Sequence, residues 1–114
     1  MNNTEIKLTY KGVEYTLGYN RAAVKIIEDN GFEINKFLEK PMLNIEIAFQ
    51  GAFIKNHPKV SQGTIQEIFK HCPDKQNLIT TLYTMISETY EDLFSTDEDD
   101  SKNVTWKTVN SKKN

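Results

Sequence analysis

The sequence predicts an α+β fold, mainly α: an N-terminal β-hairpin packed on a bundle of about five helices, followed by a flexible acidic tail. Three observations predict it. Apolar residues alternate with polar ones from Ile6 to Tyr19 around Lys11-Gly12, which is the period-two signal of a hairpin. From Asn20 onward, apolar residues recur at helical spacing between capping and breaking residues. After Phe94 that pattern stops and the acidic run Asp97-Glu98-Asp99-Asp100 begins. A single globular domain is therefore expected at 1–95, with the hairpin at 5–19 and the helices at 20–95. Residues 96–114 form an acidic and polar tail, with a candidate docking segment at 103–109.

The elements follow in chain order. Ile6, Leu8 and Tyr10 alternate on the first strand, and Val13, Tyr15, Leu17 and Tyr19 on the second. A lone hairpin is marginal in water, so its apolar face must lie on helices. Asn20 is an N-cap candidate for a helix from Arg21 to Asn30 that turns Ala23, Ile26 and Ile27 inward, with Gly31 as its C-terminal stop. A short second helix is expected at Ile34–Glu39. Pro41 suits the first turn of a third, where its missing N–H costs nothing. Two apolar stripes mark that third helix: Ile45, Phe49 and Ala52 with Met42, Ala48 and Phe53, then Leu43, Ile47 and Ile54. A helix apolar on two sides should be central, so Leu43–Ile54 is expected to be the most buried element. Asn56-His57-Pro58 breaks it. Thr64 and Glu67 have capping-box spacing for a fourth helix carrying Ile65, Ile68, Phe69 and Cys72. Pro73-Asp74 ends the fourth helix, and Asp74 can cap the fifth, about Lys75 to Phe94. Leu78, Ile79, Leu82, Ile86 and Leu93 centre the stripe of this last helix, with Met85 on one edge and Tyr83, Tyr90 and Phe94 along the other. That stripe covers about half the circumference, wider than a core face needs. Beyond the acidic run, Val104, Trp106 and Thr108 alternate as a short strand would.

Composition narrows the function classes. The 114 residues amount to one domain, and a 38% hydrophobic fraction supplies one core. A net charge of -2 gives no dominant field, and Arg21 is the only Arg among the basic residues. Both features argue against a nucleic-acid binder, which favours basic patches and bidentate Arg. The single Cys72 excludes an internal disulfide. Met1–Glu5 lack the basic-then-apolar pattern of a signal peptide, and no apolar run reaches bilayer length, so a cytoplasmic protein without a membrane partner is expected.

No chemistry-bearing cluster stands out. His71-Cys72 with the distant His57 falls short of the four ligands zinc takes, so Cys72 reads as a small buried residue near a helix end. Asp97 to Asp100 begins like a calcium loop, but Lys102 stands where the loop needs Gly and no closing Glu follows. No nucleophile–base motif or phosphate-binding glycine loop occurs, so no enzyme and no cofactor are expected. The aromatic edge of the last helix is the sharper feature. Tyr83, Tyr90 and Phe94, with Ile86 between them, are candidate partner-binding residues, because aromatics at an apolar edge serve as interface anchors. The competing reading is that they cover the hairpin or the Trp106 segment.

The order of features carries a resemblance. Lys7-Leu8-Thr9-Tyr10-Lys11-Gly12-Val13-Glu14-Tyr15-Thr16-Leu17 opens the chain, followed by Asn30-Gly31-Phe32-Glu33-Ile34 and Lys40-Pro41-Met42. Then come Ala48-Phe49-Gln50-Gly51-Ala52-Phe53, His57-Pro58-Lys59-Val60, Tyr90-Glu91-Asp92-Leu93 and Asn103-Val104-Thr105-Trp106. Over about residues 5 to 107 the chain resembles tail assembly chaperones of long-tailed phages of Gram-positive hosts. The resemblance implies a non-catalytic protein of the host cytoplasm, absent from the mature virion, that binds the tape-measure protein and keeps it soluble while tail-tube subunits polymerise. Members of this class are often made in two lengths by ribosomal frameshift, and Lys112-Lys113-Asn114 can be encoded by a slippery A-rich heptamer. The chain would then be the short product, and the longer form would recruit the tail-tube protein. A homo-oligomer stays open. Two other classes stay open beside it: a virion structural component such as a head–tail completion protein, and an acidic nucleic-acid mimic that inhibits a host protein through its Glu88–Asp100 charges.

Overall fold

The computed structural model describes residues 3–95 and 104–109. Two strands, β1 (Ile6–Tyr10) and β2 (Val13–Leu17), form an antiparallel hairpin with Ile6 opposite Leu17, Leu8 opposite Tyr15 and Tyr10 opposite Val13. Lys11 and Gly12 form its two-residue turn, both with positive φ (51° and 80°). This is the backbone twist that a tight hairpin requires, and glycine adopts it without strain.

Helix α1 (Arg21–Asp29) starts where Asn20 Oδ1 accepts from the Ala23 N–H at 2.8 Å. It stops at Gly31, whose φ of 102° is open to glycine. The expected second helix is only a 3-10 turn, Ile34–Lys36, followed by irregular turns. The sequence reason is local. Between Gly31 and Pro41 there is room for few helical hydrogen bonds, and nucleation outweighs them. Four α-helices are therefore present among the described residues, where about five helices were expected.

Helix α2 (Pro41–Gly51) has Pro41 in its first turn, as its sequence suggests. Ile45, Ala48 and Phe49, with Ala52 and Phe53 just beyond, are buried. The second stripe is not. Leu43 is 63% exposed, while Ile47 and Ile54 are half-buried; Met42, expected on the first stripe, is exposed as well. Instead of Leu43, its neighbour Asn44 faces inward, 1% exposed. Its Oδ1 accepts from the Glu33 N–H at 3.1 Å and its Nδ2 donates to the Lys40 carbonyl at 3.2 Å, so the burial leaves no polar group orphaned.

Helix α3 (Gln62–His71) begins three residues earlier than the Thr64 cap predicts. Ser61 is the N-cap, its Oγ accepting from the Thr64 N–H at 3.1 Å. Asp74 caps α4 (Lys75–Phe94), the longest element.

The core gathers Leu17 and Tyr19 from the hairpin end, Ala23, Val24 and Ile27 from α1, and Phe49 and Phe53 from α2. From the other side come Ile65 and Ile68 of α3 and Leu78, Leu82, Met85 and Ile86 of α4. Ile26, expected inside, is 42% exposed, and Val24 takes its place. The hairpin is fastened at both ends. Gly18 N–H donates to the Ala52 carbonyl at 3.0 Å, and Tyr19 Oη to the Ala48 carbonyl at 2.5 Å. At the other end, Thr4 donates through its N–H and its hydroxyl to the Glu88 carboxylate, both at 2.8 Å. Asn3 donates to Asp92 at 2.9 Å. The start of β1 therefore lies beside the C-terminal end of α4. Of the tail, Asp97–Asp100 fall outside the described residues, and Val104–Val109 are exposed without regular structure.

Candidate docking surface

The four candidate residues lie on α4, but the fold treats them differently. Ile86 is fully buried in the core, so it is corrected from contact residue to structural residue. Its position at the centre of the apolar stripe already marks it for the interior once α1 and α2 pack there. Tyr83 is half-buried, its ring tilted against Phe37 with centroids 6.3 Å apart, and Phe37 in turn meets Phe32 edge-on at 5.3 Å. Tyr90 is half-buried too, and its hydroxyl donates to the Glu28 carboxylate of α1. Burial, then the hydrogen bond to Glu28 and its negative charge, hold the Tyr90 hydroxyl well above the usual phenol range. Only Phe94 is open, 81% exposed, and Leu93 beside it is 51% exposed.

The helix end that carries them is held firmly. Arg21 Nη2 donates to the Asp92 carbonyl at 2.7 Å, and Ser95 Oγ donates to the same oxygen at 2.9 Å. These bonds satisfy a carbonyl that a helix terminus otherwise leaves without a partner. Next to it a cleft of about 220 Å³ opens between α1 and α4, walled by Val24, Lys25, Tyr90 and Leu93. The result is an exposed apolar projection, Leu93-Phe94, beside a small apolar recess.

A second apolar region went unrecognised as a surface at the sequence level. Leu38 (57% exposed), Met42 and Leu43 project around the start of α2. Farther along, Ile26, Ile47, Ile54 and Val60 line a groove of about 200 Å³ floored by Gly51. The sequence signal is the second stripe of α2, of which Ile47 and Ile54 are half-buried against the core and Leu43 stays exposed. Trp106 is 85% exposed, with Val104 and Val109 also open.

The residues weighed for metal chemistry are engaged in packing. His71 stacks on Tyr10 at 6.3 Å and sits 3.6 Å from Glu67. Cys72 is half-buried, its thiol pushed up by burial against the opposing pull of Lys75. His57 lies elsewhere, its Nε2 accepting from the Thr16 N–H at 2.9 Å. Among the described residues no three His, Cys, Asp or Glu side chains gather as a metal site would require. Nor, among them, is any helix long and apolar enough to cross a membrane.

No curated protein and no solved structure matches the chain. One family model does, described as Domain of unknown function (DUF5055), and it matches residues 1–110. That match spans nearly the whole chain, hairpin, helices and Trp106 segment together, so the protein belongs to the DUF5055 family.

Proposed function

We propose that this chain is a tail assembly chaperone, a small helical protein that binds the apolar stripe of a tape-measure protein and keeps it soluble before the tail tube forms around it. The observation that supports the reading best is the surplus of α4. Its inner residues are buried, yet it ends in an exposed Leu93-Phe94 pair that directly follows the Asp92 carbonyl bonded by Arg21. Contiguous exposed apolar surface is uncommon on a monomer and favours binding. Helical apolar stripes fit such edges and grooves, and many weak copies along one rod gain avidity. Tyr90 walls the recess and Phe94 is the anchor, while Tyr83 lies farther back along α4 against Phe37. In this reading the chain works in the host cytoplasm.

Co-expression with the tape-measure protein tests it. The tape measure should be soluble and co-purify only when this chain is present. Phe94→Ala should weaken capture by about 1–2 kcal/mol, and Leu93→Ala with it by more, while thermal stability of the domain stays within about 0.5 kcal/mol. Tape-measure solubility that does not depend on this chain sinks the proposal. So does its presence at fixed stoichiometry in purified particles.

A further inference from the structure

The two edges of the hairpin are not equivalent. In a hairpin closed by a two-residue turn, the pair flanking the turn, Tyr10 and Val13, is hydrogen-bonded, and bonded pairs then alternate along the ladder. Leu8–Tyr15 and Ile6–Leu17 bond across the strands. Thr9, Lys7, Glu14 and Thr16 turn their backbone N–H and C=O groups outward. On β2 the outward groups of Thr16 are met by side chains. His57 Nε2 accepts from its N–H at 2.9 Å, and Asn56 Nδ2 donates to its carbonyl at 3.1 Å. Asn56 and His57 thus stand in for a neighbouring strand. On β1 the outward groups of Lys7 and Thr9 meet no partner among the described residues.

We propose that the chain's own segment Val104–Val109 adds to the free edge of β1 as a third strand, placing Trp106 on the face shared by Ile6, Leu8 and Tyr10. Pattern, reach and need all support it. Val104, Trp106 and Thr108 alternate with Thr105 and Lys107, so one face of the segment is apolar and the other polar. The start of β1 is tied to the end of α4 by the Thr4–Glu88 and Asn3–Asp92 hydrogen bonds, so the chain leaves Ser95 beside the strand it would join. Nine residue steps from Ser95 to Val104 reach up to about 30 Å, and the five-residue β1 is about 17 Å long. Either strand direction is therefore within reach. A two-stranded sheet gains most from a third member. Lys7 and the shortness of β1 discourage pairing with other molecules, whereas a tethered strand acts at high effective concentration.

Amide hydrogen exchange on the full chain tests this. The Lys7 and Thr9 amides, unbonded within the hairpin, should be protected. In Trp106→Ala, a change confined to an exposed side chain, they should exchange at least about tenfold faster, while the cross-strand Leu8 amide keeps its protection. As the only Trp, Trp106 should also resist a soluble quencher. Unprotected Lys7 and Thr9 amides in the full chain, or protection that survives Trp106→Ala, overturns the proposal. Protection that rises with protein concentration means that a second copy occupies the edge, and overturns it as well.

Discussion

Gly51 ends α2 where Ile27 of α1 comes nearest. A Cβ built on it would lie 2.1 Å from Ile27 Cγ2, and Ile27 is 1% exposed in the middle of the core. Two effects of Gly51→Ala oppose each other. Helix propensity favours alanine by up to about 1 kcal/mol, but overpacking a filled core costs about 1–3 kcal/mol. The contact is far inside van der Waals distance, and Ile27 Cγ2 sits on a β-branched side chain restricted at χ1, so the second effect wins. Urea unfolding should show a net loss of about 1–2 kcal/mol with an unchanged slope. A gain in stability would mean that the helices separate freely. Nothing in the sequence marks this glycine as a contact point, because close approach is a property of two helices together. Asn44 was illegible for a related reason. Periodicity favours Leu43 for the interior, and only the folded chain brings up the Glu33 N–H and Lys40 carbonyl that make a buried amide affordable. The positions set by local chemistry were legible: the Lys11-Gly12 turn, the Asn20 and Asp74 caps, the Gly31 stop and Pro41.

At the scale of elements, the hairpin, α1, α2 and α4 follow from pattern and caps. The weak points are where two local signals compete. Thr64–Glu67 has capping-box spacing, yet Ser61 offers a better-placed oxygen directly before the helix, and the helix starts there. Ser61→Ala should therefore cost about 1 kcal/mol by thermal or urea unfolding. Glu67→Ala, which removes both the charge beside His71 and any side chain able to reach back to a Thr64 cap, should change stability by less than about 0.5 kcal/mol. Equal costs would restore Thr64 and Glu67 as the capping pair. The docking surface was half legible for a physical reason. A wide stripe on α4 announces apolar surplus, but which part is surplus depends on where α1 stops covering it. Glu28 reaches Tyr90, and Val24 walls the cleft beside Leu93, so coverage ends at Leu93 and Phe94. Ile86 lies well inside that limit. The second stripe of α2 adds a limit: the helix is central, as its two apolar sides predict, and packs on α1, α3 and α4, yet Leu43 in its first turn stays exposed.

For the whole molecule, two tyrosine hydroxyls join its parts. Tyr19 ties the hairpin end to α2 through the Ala48 carbonyl, and Tyr90 ties α4 to α1 through Glu28. Burial raises both above the ordinary value of 10.0. The linkage sign follows from proton counts. Below about pH 10 both residues are protonated in folded and unfolded chains, and their contribution is fully present. Above it the unfolded chain releases protons that the folded chain holds, so unfolding gains and stability falls. Tyr19, only 4% exposed, should dominate, with a slope approaching about 1.4 kcal/mol per pH unit. Tyr90 should add less, because its hydroxyl bonds at the surface, where solvent screens the interaction. The test is a difference between two chains, which isolates the one hydroxyl. Tyr19→Phe keeps the ring and removes the titrating group. It should lower stability near neutral pH by about 1 kcal/mol through the lost hydrogen bond, yet show a shallower alkaline decline. The two stability curves should then converge as pH rises. Parallel curves through the alkaline range would mean that Tyr19 loses its proton as readily in the folded chain as in the unfolded one, and that the hairpin end is open to water.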